Sequence, residues 1–164
     1  MDRFDTPELV ARETGHVIEQ EAYLHLIRTA EVLSGPLSDL LARFGLSGKQ
    51  YNVLRAIRRG GADGETVSRI GEQMTDPRAD MTRLLDRLER DGLTERRHDR
   101  QDRRVVRVVL TEQGRARLAE MDEPLVALHR AQFAHMSPQA LQELVALLAL
   151  ARSGGAATTS APVS

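Results

Sequence analysis

The chain has 164 residues, 41% of them hydrophobic and 29% charged, and a formal net charge of −1; this length suits one domain with its own core and excludes a large multidomain enzyme. It contains no cysteine, which excludes a disulfide framework, a thiolate metal site and thiol redox chemistry, and its 3% aromatic content makes the core aliphatic. The longest apolar run, Leu144 to Ala151, is far short of the roughly 18 residues a membrane span needs, and no signal segment opens the chain, so a cytoplasmic protein without membrane contact is expected.

Thr6-Pro7-Glu8 reads as a helix start: N-cap, proline at the first helical position, acid in the first turn. Leu9, Val10, Val17, Leu24, Ile27 and Leu33 continue a helical spacing that Ser34-Gly35-Pro36 is expected to interrupt, with a short helix through Leu37, Leu40, Leu41 and Phe44 after it. Ser47 and Gln50 form a capping box for a helix that carries Tyr51, Val53, Leu54 and Ile57 and stops at Gly60-Gly61. A further helix is expected from Glu65 to Met74. Thr75-Asp76-Pro77 then supplies a turn, an N-cap and the first residue of an amphipathic helix over 77–91, which has Met81, Leu84, Leu85 and Leu88 on one stripe and Gly92 as its C-cap.

After Gly92, Leu93 to Arg97 reads as a strand, and Val105 to Leu110 as a second whose alternation puts Val106, Val108 and Leu110 on one face. The charged segment between them, His98 to Arg104, is a hairpin loop. Thr111 caps a helix through Leu118 and Met121 that continues past Pro124, and Ser137-Pro138 opens a last helix carrying Leu141, Leu144, Val145, Leu147 and Leu148. From Ser153 the tail has no means of burying surface and is expected to be disordered.

Net charge conceals an asymmetry. Residues 1–76 hold 9 basic and 12 acidic groups, residues 77–107 hold 10 and 7, and residues 108–164 hold 4 and 5. Within 96–107 six arginines face only Asp99 and Asp102, so one basic stripe crosses a near-neutral chain. At 100° per residue, the stripe of Leu84 and Leu88 turns Ala79, Arg83, Asp86 and Arg90 to the far side of helix 77–91, with Thr82 and Arg87 flanking them. A helix of this diameter fits the major groove of DNA, and its first turns would deliver Arg78, Thr82 and Arg83 to base edges or phosphates. The same pattern alone also describes a solvated helix face. What separates the two readings is the hairpin one strand later, with Arg100, Arg103 and Arg104 at its tip, suited to phosphates and a narrow minor groove. Helix plus hairpin make a winged helix–turn–helix. Asp99 and Asp102 either hold neighbouring guanidinium groups in one orientation or balance charge in a flexible loop.

Four stretches, Leu46 to Leu54, Thr82 to Leu93, Asp102-Arg103-Arg104 and Leu110 to Gly114, stand in the order found in the multiple-antibiotic-resistance-regulator (MarR) family of bacterial transcription factors, and residues 9 to 152 resemble it. The resemblance implies a homodimer whose N- and C-terminal helices interlock, so that two winged domains read a palindromic operator in double-stranded DNA. The helix matching 77–91 would enter the major groove. Arg103, with Arg104 beside it, would reach the minor groove, Arg83 would contact backbone or bases, and Asp86 looks like the acid that braces a wing arginine. Small aromatic or phenolic acids bind many members between the dimerisation helices and the DNA-binding lobe. Tyr23, His25, Tyr51 and Arg55 have suitable chemistry for such an effector pocket, and equally suit core or surface positions. Peroxide sensing through cysteine is excluded, and the absence of tryptophan argues against the urate-responsive branch.

The expected fold is mainly α with a small β-hairpin wing. It comprises a flexible start (1–5), N-terminal dimerisation helices (6–45), a winged helix–turn–helix (46–110), C-terminal dimerisation helices (111–152) and the tail (153–164). The expected function is a homodimeric, sequence-specific DNA-binding regulator, a repressor released by a small-molecule effector, with the DNA contacts at Arg78, Ala79, Thr82, Arg83, Arg87, Arg100, Arg103 and Arg104 and with Asp86 and Asp102 orienting the wing. The alternative is a winged-helix module that docks an acidic protein through the same hairpin. No catalytic residue, cofactor or metal is expected: the chain has no phosphate-binding glycine loop, and its five histidines form no pair at ligand spacing.

Overall fold

Helix α1 spans Ile18–Arg43 in the structure, a computed structural model that describes residues 17–74, 80–99 and 102–155. The expected break at Ser34-Gly35-Pro36 does not occur; Pro36 lies inside the helix, and Ser34 donates its hydroxyl to the Glu31 carbonyl at 3.0 Å. An interior proline costs about 3 kcal/mol, but burying one leucine returns about 1.5–3 kcal/mol. Continuing the helix carries Leu37, Leu40 and Leu41 into the core, which outweighs the lost hydrogen bond. The expected helix start at Thr6-Pro7 lies outside the described residues.

The first of two units ends at Leu125. In it, α1 closes in a Schellman turn: Gly45 adopts φ +72°, its N–H donates to Ala42 O at 3.0 Å, and the Leu46 N–H donates to Leu41 O at 3.1 Å. Helix α2, Gly48–Arg59, begins on the expected capping box, with the Gln50 N–H on Ser47 Oγ at 3.3 Å and the Ser47 N–H on Gln50 Oε1 at 2.9 Å. Val53, Leu54, Ala56 and Ile57 on its inner face are essentially inaccessible.

Glu65 and Thr66 are not the start of a helix but a two-residue strand, β1, that pairs antiparallel with β3, Val106–Leu110; helix α3 is Val67–Glu72, capped by Thr66. The wing is therefore a three-stranded sheet in the order β1-β3-β2, with β2 at Thr94–His98, rather than a hairpin alone. Two residues are too few to show alternation. Gly64 makes the approach possible: it sits at φ +66°, and a Cβ there would lie 2.1 Å from the Val108 carbonyl oxygen. Along β3, Val108 and Leu110 are buried as expected, but Val106 is 36% exposed, because it pairs with His98 at the wing end of the sheet. Val109, on the opposite face, is buried against the Gly64 turn.

Helix α4 is Met81–Arg90 and α5 is Glu112–Gln132, with Pro124 inside it as anticipated. Leu85, Leu88, Leu118 and Met121 join the interior of α2, Ile70 and Val108 in one aliphatic core. The second unit begins at Val126 and contains the end of α5 and helix α6, Pro138–Gly155, whose first turn is capped by Ser137 Oγ on the Ala140 N–H at 3.1 Å. Helix α6 extends past Ser153, where the tail was expected to begin; residues 156–164 lie outside the described residues. Among the described residues, no helix is long and apolar enough to cross a membrane.

Candidate nucleic-acid interface

The polar face of α4 is set by where the helix starts. Asp80 is its N-cap, non-helical at ψ 87°, with Oδ1 accepting the Arg83 N–H at 3.1 Å. The expected start at Pro77 is therefore corrected to Met81, since a carboxylate cap satisfies amide donors that would otherwise be orphaned. Thr75 to Ala79, including the predicted contacts Arg78 and Ala79, lie outside the described residues. Thr82 and Arg83 occupy the exposed first turn, and Asp86, Arg87 and Arg90 follow on the same outward side, as the stripe of buried Leu85 and Leu88 dictates. The Arg83 side chain is 88% exposed, with Nε 3.1 Å from Asp80 Oδ2.

Carboxylates shape the wing in two different ways. Asp99 pairs with Nε of Arg107, and this hydrogen bond raises the Arg107 pKa above the ordinary arginine value. Asp102 holds no guanidinium among the described residues; its Oδ1 accepts the backbone N–H of Arg104 at 2.9 Å. Its own N–H donates to Asp99 Oδ1 at 3.1 Å, and its carbonyl accepts the Val105 N–H at 2.9 Å. Asp102 thus fixes the turn's backbone, as short acidic side chains do in tight turns. Arg103 and Arg104 are exposed at that turn and, like Arg87, form no ion pair with a carboxylate among the described residues. Arg100 lies outside the described residues.

A single side chain ties the helix to the wing. Arg96 on β2 reaches Asp86 Oδ1 at 2.6 Å through one guanidinium nitrogen and Glu89 through another, while its backbone N–H donates to Glu89 Oε1 at 3.1 Å. The hydrogen bond with Asp86 is the largest cause of a raised Arg96 pKa. Asp86 therefore does brace an arginine, but one on the strand rather than at the wing tip.

The junction behind these elements is tight. Helix α4 ends in a Schellman turn on Gly92 (φ +72°), and the Leu93 N–H donates to Leu88 O at 2.9 Å. Thr111 Oγ1 donates to Gly92 O at 2.6 Å and accepts the Gly114 N–H at 3.0 Å, and the Thr111 N–H donates to Leu93 O at 3.1 Å. A Cβ on Gly114 would stand 2.0 Å from Leu93 O. The Leu110 to Gly114 stretch is thus the clasp that holds the start of α5 against the end of α4.

The proposed effector residues do not converge. Tyr23 and His25 are exposed on α1, and Arg55 lies over the Tyr51 ring, 5.5 Å from its centroid, one turn along α2. Clefts among the described residues of this unit include one of about 490 Å³ at the root of the wing, between Arg69, Arg97 and Arg107, and one of about 530 Å³ between the start of α2 and α4. None of the four residues lines either. Among the described residues, no group of three or more histidines and acids is placed to hold a metal ion.

The MarR family model matches residues 46–106, which is the span from the α2 capping box through the wing. A MarR transcription factor from Planctomyces limnophilus is 36% identical, with 82% of this chain and 98% of that one covered and a TM-score of 0.62. The chain belongs to the MarR family. BpsR of Bordetella bronchiseptica is 26% identical over 81% of this chain and 98% of that one, with a TM-score of 0.69. The repressor YetL of Bacillus subtilis is 28% identical over 100 residues, and the match spans 61% of this chain but only 60% of the repressor. The MarR-family chain is accordingly a DNA-binding helix–turn–helix transcriptional regulator.

Sequence reasoning about this MarR-family regulator overlooked Asp80, Glu89 and Arg96. Asp80 has the form of an N-cap three residues before Arg83, yet the stronger proline signal at Pro77 masked it. Glu89 and Arg96 are seven residues apart across a turn, so no helical or strand periodicity links them.

Proposed function

We propose that this regulator acts as a homodimeric repressor on a palindromic operator and that a small-molecule effector releases it. Thr82 and Arg83 supply the sequence-reading contacts in the major groove, with Arg78 and Ala79 preceding them. Arg87 holds the flanking phosphate, and Arg100, Arg103 and Arg104 enter the minor groove, with Asp86 and Asp102 positioning helix and wing. The observation that carries this reading is a set of exposed guanidinium groups without a carboxylate partner among the described residues, Arg87, Arg103 and Arg104 among them, at both ends of one bracketed helix–wing unit.

The dimer is supported by apolar surface that each unit leaves bare. In α1, Ile18 is 70% and Val32 74% exposed, with Tyr23, Leu26 and Ile27 also open; in α6, Val145, Leu147 and Leu150 are exposed. Aliphatic helical surface of this kind is characteristic of obligate interfaces. A responsive mechanism is supported by BpsR, whose DNA binding is regulated by 6-hydroxynicotinic acid.

Selection of bound duplexes from random DNA tests the whole reading. A palindrome with half-sites about one helical turn apart is expected. An asymmetric site, or binding that does not distinguish sequences, would refute the dimeric operator model.

A further inference from the structure

Asp80 does more at the start of α4 than a cap requires. One carboxylate oxygen, Oδ1, accepts the Arg83 N–H at 3.1 Å, and the other, Oδ2, lies 3.1 Å from Nε of the same residue. A serine at this position would cap the helix about as well and carry no charge. On a turn that meets DNA a carboxylate repels phosphate, so its charge costs affinity unless it does something a neutral cap cannot. Here the charge holds Arg83 by ion-pairing with Nε. Nη1 and Nη2, at the end of a side chain that is 88% exposed, form no hydrogen bond or ion pair among the described residues. Asp86, three residues on and within reach of Arg83 along the helix, is engaged by Arg96 at 2.6 Å. The Arg83 fork is thus anchored at Nε and open at both Nη atoms.

We propose that Asp80 is a positioning residue that determines specificity: it holds the Arg83 guanidinium so that Nη1 and Nη2 pair with O6 and N7 of one guanine in each operator half-site. The proposal rests on the DNA-reading role of α4 proposed above and adds the base that is read. A phosphate also suits an arginine fork, but on this one it would stand close to the Asp80 carboxylate and be repelled by it. O6 and N7 are neutral acceptors, and the paired cytosine presents an N4 amino donor beside O6 that a nearby carboxylate accepts. Guanine is also the base that offers two adjacent acceptors in the major groove. Adenine puts an amino donor in place of O6, so that donor would meet donor. Anchoring Nε removes part of the rotamer freedom that a long side chain gives up on binding, which favours the base that fits the held geometry.

Bound duplexes are selected from random DNA with the full chain, with Arg83→Ala and with Asp80→Ser, and affinities for the selected site are measured by fluorescence anisotropy. The parent protein is expected to require one guanine per half-site, and its replacement by adenine to cost about 5- to 150-fold, the range of one good bidentate pair. Replacement by 7-deazaguanine, which keeps O6 and the base pair but lacks the N7 acceptor, should weaken parent binding by about 2- to 12-fold and leave Arg83→Ala unaffected. This measurement on the parent protein does not depend on either variant folding. Arg83→Ala should select the rest of the site with no preference at that position. Asp80→Ser retains an N-cap, which its melting curve checks. It should narrow the guanine-over-adenine ratio by about two- to fivefold while binding random duplexes no less tightly than the parent. An Arg83-dependent base other than guanine, or indifference of the parent to 7-deazaguanine, overturns the proposal. So does a loss in Arg83→Ala that is equal for selected and random duplexes and lowers the salt slope by about 1.8 in the dimer, since Arg83 is then a phosphate contact. Undiminished guanine discrimination in Asp80→Ser overturns the role of Asp80. A parent protein that binds duplexes without selecting any sequence removes the DNA-reading role of α4 itself, and the proposal with it.

Discussion

Gly114→Ala tests the clasp between α4, the wing and α5. The added Cβ would lie 2.0 Å from the Leu93 carbonyl oxygen and 3.0 Å from its carbon. A carbon–oxygen contact needs well over 3 Å, so the start of α5 must retreat by more than an ångström. The obstacle is backbone on both sides: Leu93 O accepts the Thr111 N–H, and Thr111 Oγ1 joins Gly92 to Gly114. Retreat strains a packed junction, at about 1–3 kcal/mol, and weakens hydrogen bonds worth about 0.5–1.5 kcal/mol each. A net loss of about 3 kcal/mol corresponds to a fall in melting temperature of roughly 6–12 °C for a chain of this length. Gly35→Ala is the matched control. It lies inside α1 with nothing within 4 Å of its added Cβ, so it should raise stability by about 0.5–1 kcal/mol. Melting curves at one fixed protein concentration measure both. A Gly114→Ala protein that melts within a degree of the parent would refute the clasp.

Arg103→Ala with Arg104→Ala should weaken cognate and random duplexes alike and flatten the plot of log affinity against log salt, by up to about 3.6 for four arginines in the proposed dimer; an unchanged slope in fluorescence anisotropy would remove the wing from the interface. Arg96→Met should cut operator affinity by about five- to tenfold while lowering the melting temperature by only a few degrees, since the bracket is partly exposed and its ion pairs are individually modest. The Asp86 hydrogen bond keeps the Arg96 charge above the ordinary arginine range, so its stabilising contribution is lost only above the normal arginine pKa. The effect of Arg96→Met should therefore be the same at pH 7 and pH 9. Asp80→Ala removes the α4 cap, at about 1 kcal/mol of stability, and releases Arg83. Melting should fall while binding to random DNA rises, whereas Asp80→Ser should recover the stability alone. Substitutions at Thr82 should change which operator is selected more than they change overall affinity, as read by competition between selected and scrambled duplexes.

The sequence by itself determined the features that depend on neighbours in the chain. The Ser47–Gln50 capping box, the stripe of Leu84, Leu85 and Leu88, the left-handed Gly92 and the Thr111 cap all appear where they were read, because each is a short-range match between side-chain chemistry and backbone geometry. The charge count by segment likewise located the basic helix and wing. Tertiary structure decided the rest. Pro36 stays inside α1 because the leucines beyond it are needed in the core, a balance that local propensity omits. Strand β1 exists only because β3 supplies its partner, and the Asp102 carboxylate accepts the Arg104 backbone N–H within its own turn. Most consequentially, Arg96 became the bracket between α4 and the wing, and Gln50 Nε2, buried in a cleft wall, has no hydrogen-bond partner among the described residues. Both depend on surfaces brought together by folding, where the distance along the chain carries no information about the distance in space.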